Sequence, residues 1–258
     1  MSTHGGCKCN APLKVAGVET KPPAGDEGVK WVKHYSSAQS ILIVGDGDFS
    51  FSLALAMAFG SGANLVGTSL DSYFVLTIKY SKAESNIMEL KRLGATVLHG
   101  VDVETMKLHT DLKNRQFDRI VFNFPHAGFK GSETKLHVII SHKELVAGFF
   151  SNARYLLRHR GEIHMSHKTG HPYDRWDLEH LASASSLVLT EKVGFHKEDY
   201  PGYNQKRGDG IKSDEPFNIY PCSTFKFQIS EAGIGCTGSA SKRMNEILEL
   251  DLFIKLRI

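Results

Sequence analysis

The chain lacks several features that would assign it to a class at once. It has only four cysteines in 258 residues, too few for a disulfide framework at this size, so Cys222 and Cys236 read as ordinary thiols. His4, Cys7 and Cys9 form one cluster, but a C-x-C without a second pair is a weak metal pattern, and no metal is assigned. No apolar run reaches the roughly 20 residues that cross a bilayer. The N-terminus has no apolar signal core, and no lipidation box is present, so the expected address is intracellular. No repeat recurs at periods of 20 to 50 residues. The formal charge is only +3, far from the footprint of a protein that binds nucleic acid by charge alone.

What is present is a globular composition, 41% hydrophobic and 23% charged, with one segment set apart. Residues 1–30 carry Gly, Pro and Lys without apolar periodicity and read as a disordered extension. From Ile41 the chain alternates short apolar runs with amphipathic ones: ILIVG, FSLALAMAFG, NLVGTSL, and a helical stretch from Val75 to Leu93. TVLHG follows, then a short polar helix near 104–114, FDRIVFNF, and a long helix around 135–159. GEIHMSHK, a helix near 174–186, LVLTEKV and STFKFQI complete the pattern. Strands joined by helical crossovers build a parallel sheet. The expectation is a Rossmann-like α/β fold over 31–230: seven mostly parallel strands, an antiparallel edge strand, and helices on both faces. Residues 231–258 are left as a tail, with docking as a final helix or strand left open.

Residues 43–55, IVGDGDFSFSLAL, turn abruptly between the first strand and its helix. In open parallel sheets this turn is a usual ligand site, and Gly45 and Gly47 let the peptide N–H groups approach a ligand closely. G-x-G-x-x-S alone is equally a structural turn, with Phe49 and Ser50 completing it. The acids at the next strand ends add weight. Asp71 is placed to accept ribose hydroxyls, and Asp102 to meet an adenine. Asp46 and Asp48 disfavour the pyrophosphate of a dinucleotide and suit the ammonium and sulfonium of S-adenosylmethionine, which argues against a nicotinamide oxidoreductase. The fourth strand ends FNFPH, where Asn123, Pro125 and His126 resemble the strand-end motif of methyltransferases acting on planar nitrogen.

VGDGDFSFS, FNFPH, SHKTGHPYDRW and YPGYNQKRG together resemble the eukaryotic large-subunit ribosomal RNA uridine-N3 methyltransferase family, particularly its short plant members. The resemblance covers roughly residues 31–229. It implies a class I methyltransferase fold, S-adenosylmethionine as cofactor, N3 of a ribosomal RNA uridine as target, and a nucleolar or nuclear address. It puts Gly45, Asp46, Gly47 and Asp48 at the methionine end, Asp71 at the ribose, Asp102 near the adenine, and Asn123 to His126 beside the base. Chemistry at N3 needs a proton acceptor and donors to the carbonyls. Asn123 is expected to donate, a backbone carbonyl near Phe124 or Pro125 to orient the N3 proton, and His126 to accept it or stack.

Three loops, 126–143, 164–176 and 202–213, are expected beside the glycine turn and carry eight Lys and Arg against three acids. Their candidate RNA contacts are Lys130, Lys168, Tyr173, Trp176, Tyr203, Lys206 and Arg207, with Phe129 as a further ring. A methyltransferase-fold binding module without turnover, and a methyltransferase for another RNA or a small molecule, remain as alternatives.

Overall fold

The computed structural model describes Met1, residues 28–128 and residues 131–231. The extension before Gly28 with His4, Cys7 and Cys9, the pair Phe129 and Lys130, and the tail beyond Glu231 lie outside the described residues. Among those described, no helix is long and apolar enough to cross a membrane.

A small hairpin of β1 (Trp31–Val32) and β2 (Tyr35–Ser36) precedes the main sheet. The sheet follows with β3 (Ile41–Val44), α1 (Ser50–Phe59), β4 (Leu65–Ser69), α2 (Tyr73–Lys79), α3 (Ala83–Arg92) and β5 (Thr96–His99). Then come β6 (Phe117–Asn123), α4 (Leu136–Leu156), β7 (Leu157–Lys168), α5 (Leu178–Ala184), β8 (Leu187–Gly194) and β9 (Cys222–Ile229). The strand order is β5-β4-β3-β6-β7-β9-β8. It reverses beside β3, whose parallel neighbours are β4 on one side and β6 on the other. That reversal opens a crevice at the carboxyl ends of β3, β4 and β6.

The continuous apolar run of β3 follows from burial on both faces. Ile41 and Ile43 join the cluster that holds Phe51, Leu55, Leu76 and Ile87 from α1, α2 and α3. Leu42 and Val44 join the opposite cluster with Val146, Phe149, Phe150 and Leu181 from α4 and α5.

The antiparallel pairing expected at the sheet edge is present: β8 is the edge strand and runs antiparallel to β9, which is also antiparallel to β7. Two details depart from the sequence reading. The stretch 75–93 is two helices, because Tyr80 adopts an extended backbone and buries its ring, which breaks the helical ladder. The polar segment 104–114 forms only a 3-10 turn at Met106–Leu108, with Met106 its buried anchor.

Close packing of α1 on β4 depends on Gly67. A Cβ there would stand 2.8 Å from Ser52 Oγ and 3.0 Å from Phe49 Cδ1. Gly67→Val is therefore expected to destabilise the fold by about 1–3 kcal/mol through overpacking, read as a lowered Tm. An unchanged Tm would show that α1 is free to move away from the sheet.

Candidate functional site

The turn from β3 into α1 runs through Gly45 at φ +61°, Gly47 at φ +34° and Phe49 at φ +62°. A left-handed phenylalanine is uncommon and persists only where its surroundings hold it. Here the Phe49 ring is fully buried, edge-on to His99 at 5.7 Å. At Gly45 a Cβ would lie 3.0 Å from the Phe122 ring as well as strain the backbone.

The two acids of the turn look inward. Asp46 accepts hydrogen bonds from Phe51 N at 3.3 Å, from Ser52 N at 2.7 Å and from the Ser52 hydroxyl. It thereby satisfies donors at the start of α1 that helix geometry leaves without partners. Burial pushes its carboxyl up to about 7, against the pull of the Ser52 bonds. Asp48 accepts from Ser50 N at 3.0 Å and lies 3.8 Å from Lys206 Nζ, and burial raises its carboxyl too. Both residues line the cavity above the turn, and their oxygens also serve the helix start and the roof. Phe49 and Ser50 support the turn without lining the cavity above it.

That cavity, of about 230 Å³, is lined by Gly45 to Asp48, Asp71, Asp102, Tyr80, Val101, Phe122 and Asn123, among others. Asp71 stands at the end of β4 with its carboxylate 2.7 Å from Lys79 Nζ. Asp102 is exposed at the rim, and its Oδ1 accepts from Glu104 N at 2.8 Å. Both amide atoms of Asn123, at the end of β6, are buried with no hydrogen-bond partner in the protein. Such a group is costly unless something binds it. The following residue, Phe124, is left-handed at φ +50°, and its N–H donates to Ser166 O at 2.7 Å.

A larger cavity of about 530 Å³ adjoins the first. Phe124, Pro125, His126, Lys206, Arg207 and Phe217 line both, so the end of β6 is the wall between them. The connection from Gly202 to Pro221 roofs the pair. Asn204 is held by Ser50 through bonds of 3.0 and 3.3 Å, and Gly208 O accepts from Tyr80 at 3.4 Å. Sequence reasoning marked this segment as a motif but missed its role as a roof. It also missed Glu133, His167 and Phe217, which line the larger cavity. The SHK strand end was the available signal for His167.

The far wall is aromatic. His126 meets His142 edge-on at 4.6 Å, and Trp176 lies against His142 at 4.4 Å and His167 at 4.3 Å. Burial, then neighbouring His142, lowers His126 to about 4; His167 is lowered to about 4, again chiefly by burial. Both rings are neutral at pH 7. His126 Nδ1 accepts from Gly128 N at 3.1 Å, so the neutral ring carries its proton on Nε2 and is a donor. Among the expected RNA contacts, Lys168, Tyr173, Trp176, Lys206 and Arg207 line the larger cavity and Tyr203 lines the smaller. Trp176 and Tyr203 are buried at 4% and 8% exposure, and Lys206 is held 2.6 Å from Asp214.

Residues 42–207 match the family model described as rRNA (uridine-N3-)-methyltransferase BTM5-like. The chain belongs to that family. It is 57% identical over 206 residues to heavy metal-associated isoprenylated plant protein 41 of Arabidopsis thaliana, covering 80% of this chain and 40% of that one. An uncharacterized protein of Arabidopsis thaliana is 50% identical over 201 residues, covering 77% of this chain and 96% of its own. The 25S rRNA (uridine(2634)-N(3))-methyltransferase of Saccharomyces cerevisiae is 29% identical over 196 residues, covering 56% of this chain and 58% of its own. The chain thus spans less than two thirds of the first and third of these relatives.

The smaller cavity fits S-adenosylmethionine on the structure's own terms. It has a strained glycine bend that a side chain would fill, an acid at the second strand end, apolar walls, and an unsatisfied amide at its inner end.

The opposed titrations of this site have a readable consequence. His126 and His167 resist a proton that the unfolded chain accepts near pH 6.5, so folding stability falls as pH drops from there toward 4. Asp46, with its carboxyl raised from 3.8 to about 7, acts the other way: its folded form gains a proton first, which adds stability as pH falls from 7. Asp46→Asn removes that opposing titration together with one acceptor at the helix start, so the readout is the slope against pH and not the absolute stability. Its stability in urea is expected to decline more steeply than wild type between pH 7 and 5, and parallel profiles would contradict this account of Asp46.

Proposed function

We propose that this chain is an S-adenosylmethionine-dependent methyltransferase acting on N3 of a uridine in large-subunit ribosomal RNA. The observation that carries the reading is the junction of two cavities at the end of β6, where Phe124 to His126 line both and the adjacent Asn123, lining the smaller, holds an unpartnered amide. A donor cavity and an acceptor cavity sharing one wall are what in-line group transfer between two bound molecules requires. Family membership and the activity of the yeast relative support the same substrate.

In this reading Gly45 and Gly47 bring peptide groups to the methionine part of the cofactor, Asp71 receives the ribose, and Asp102 stands by the purine. Asp71 is now paired with Lys79, and it exchanges or shares that partner when it meets the sugar. Bound there, the cofactor supplies an electrophilic methyl group. The rest is done by the chain. Uracil enters the larger cavity as an unpaired or extruded base. The Asn123 amide and the His126 Nε2–H donate to its two carbonyl oxygens, where charge gathers as N3 becomes nucleophilic. His126 is thereby a donor rather than the base. The apolar wall of Phe124, Phe217 and Trp176 keeps water from the reacting atoms. Lys168, Tyr173 and Arg207 are the RNA contacts retained from the candidate set, and a nucleolar address accords with the substrate.

The test is incubation with labelled S-adenosylmethionine and total RNA lacking the modification, followed by nucleoside analysis. The reading expects label in 3-methyluridine; label in another nucleoside, or none, overturns it. Asn123→Ala is expected to lower turnover by about 10²–10³ while calorimetric affinity for S-adenosylhomocysteine stays within about tenfold. Equal activity in that variant would remove Asn123 from the reaction.

A further inference from the structure

Methylation of uridine N3 releases a proton, and His126 is poorly made to take it, with Nδ1 engaged and basicity reduced by burial. The larger cavity holds another set of polar groups joined in a chain. Lys168 Nζ, at the end of β7, donates to the Tyr173 hydroxyl at 2.8 Å, and that hydroxyl donates to Glu133 Oε2. Three separate segments supply these residues: a strand end, the 3-10 turn Tyr173–Trp176, and the loop between β6 and α4. All three line the cavity with Pro125 and His126.

The direction of this chain is fixed by chemistry. An ammonium only donates and a carboxylate only accepts, so the Tyr173 hydrogen must point to Glu133. Its oxygen is then the accepting end, taking the Lys168 hydrogen bond with one lone pair and keeping a second, in a residue that lines the cavity. Lys168 also lies over the Tyr173 ring at 4.7 Å and over the Phe217 ring at 5.4 Å, which keeps a positive charge beside any uracil oxygen in the cavity.

Resting on the methyltransferase reading above, we propose that Tyr173 and Glu133 form the proton exit of the reaction, with Lys168 as their positioning residue. As the bond from N3 to the methyl carbon forms and the bond from that carbon to sulfur breaks, the N3 proton passes to the Tyr173 oxygen. Tyr173's own proton passes in the same motion to Glu133. The sulfonium ends as a neutral thioether, the methylated uracil is neutral, and the former Glu133 carboxylate holds the proton until solvent takes it. Burial, then the Glu133 bond, holds the Tyr173 phenol above its ordinary range. It therefore acts as a relay and not as a standing phenolate. Besides Glu133 and Tyr173, the charged or titratable groups that line the same cavity are Lys168 and His167 on β7, His126 after β6, and Lys206 and Arg207 in the roof. His126 and His167 stay uncharged above about pH 4, so they add no step to a neutral pH profile.

The test uses the full chain, S-adenosylmethionine and RNA lacking the modification, with 3-methyluridine quantified from pH 6 to 10. Glu133→Gln and Tyr173→Phe are each expected to lower kcat by about 10²-fold or more. Their Kd values for S-adenosylhomocysteine and for the RNA are expected to change less than about threefold. The deficit should shrink as pH rises, because uridine that ionises in solution arrives without its N3 proton. Lys168→Arg, which keeps a cation over the rings, should retain more activity than Lys168→Met. A wild-type kcat in both Glu133→Gln and Tyr173→Phe, or a deficit that stays constant across the pH range, overturns the proton exit. Wild-type protein that binds S-adenosylhomocysteine yet forms no 3-methyluridine overturns the enzyme reading, and the proton exit with it.

Discussion

Everything at this site is built outward from one buried carboxylate. Asp46 sits beneath the first turn of α1 and takes its unpaired N–H groups, and in doing so it fixes where the helix begins and how the preceding glycines must bend. The bend places Gly45 against the Phe122 ring, Phe49 in the core and Asp48 under Lys206. From Lys206 the constraint passes to Asp214 and so to the roof over both cavities. A helix N-terminus carries partial positive charge, so an acid here stabilises the helix whether or not a ligand is bound. The strained backbone of Phe49 is held by that arrangement and by the seat that Gly67 leaves for its ring.

A second strained residue, Phe124, stands where the two cavities meet. Its left-handed turn ends the ladder of β6 and re-aims the chain, so that Asn123 ends up inside the crevice and Pro125 and His126 face the larger cavity. Its ring packs edge-on to Phe195 and Phe217 at 5.3 and 5.9 Å, which ties the dividing wall to the roof. Strain of this kind gathers where a site must be held in one shape before its ligands arrive.

Much of this architecture is legible in the residues, for definable reasons. ILIV and RIVFNF are uninterrupted because both faces of their strands are covered, and the long apolar periodicity of α4 admits no other element. The order of crossovers then places the glycine turn at the reversal of the sheet. What could not be read was direction. Tyr80 looks helical in sequence and instead anchors a break, since its choice depends on a core pocket formed by distant residues. Asp46 and Asp48 carry charge in the sequence, but whether that charge faces a ligand or a helix start is decided only by packing. Trp176 and Tyr203 belong to loops that approach the cavity, yet their rings turn inward to complete its walls. Glu133 passed as one acid among loop cations until the fold set it against Tyr173.

The central claim is that two cavities divided by Asn123 to His126 receive, respectively, an adenosyl cofactor and a uracil ring. The most direct measurement is a crystal structure of the chain with S-adenosylhomocysteine and an RNA fragment containing the target uridine. The account predicts the ribose hydroxyls on Asp71, the amino acid portion over Gly45 and Gly47, and the uracil edge at Asn123 with N3 facing the sulfur. A cofactor bound outside the glycine bend, or a uridine held away from the larger cavity, would contradict it.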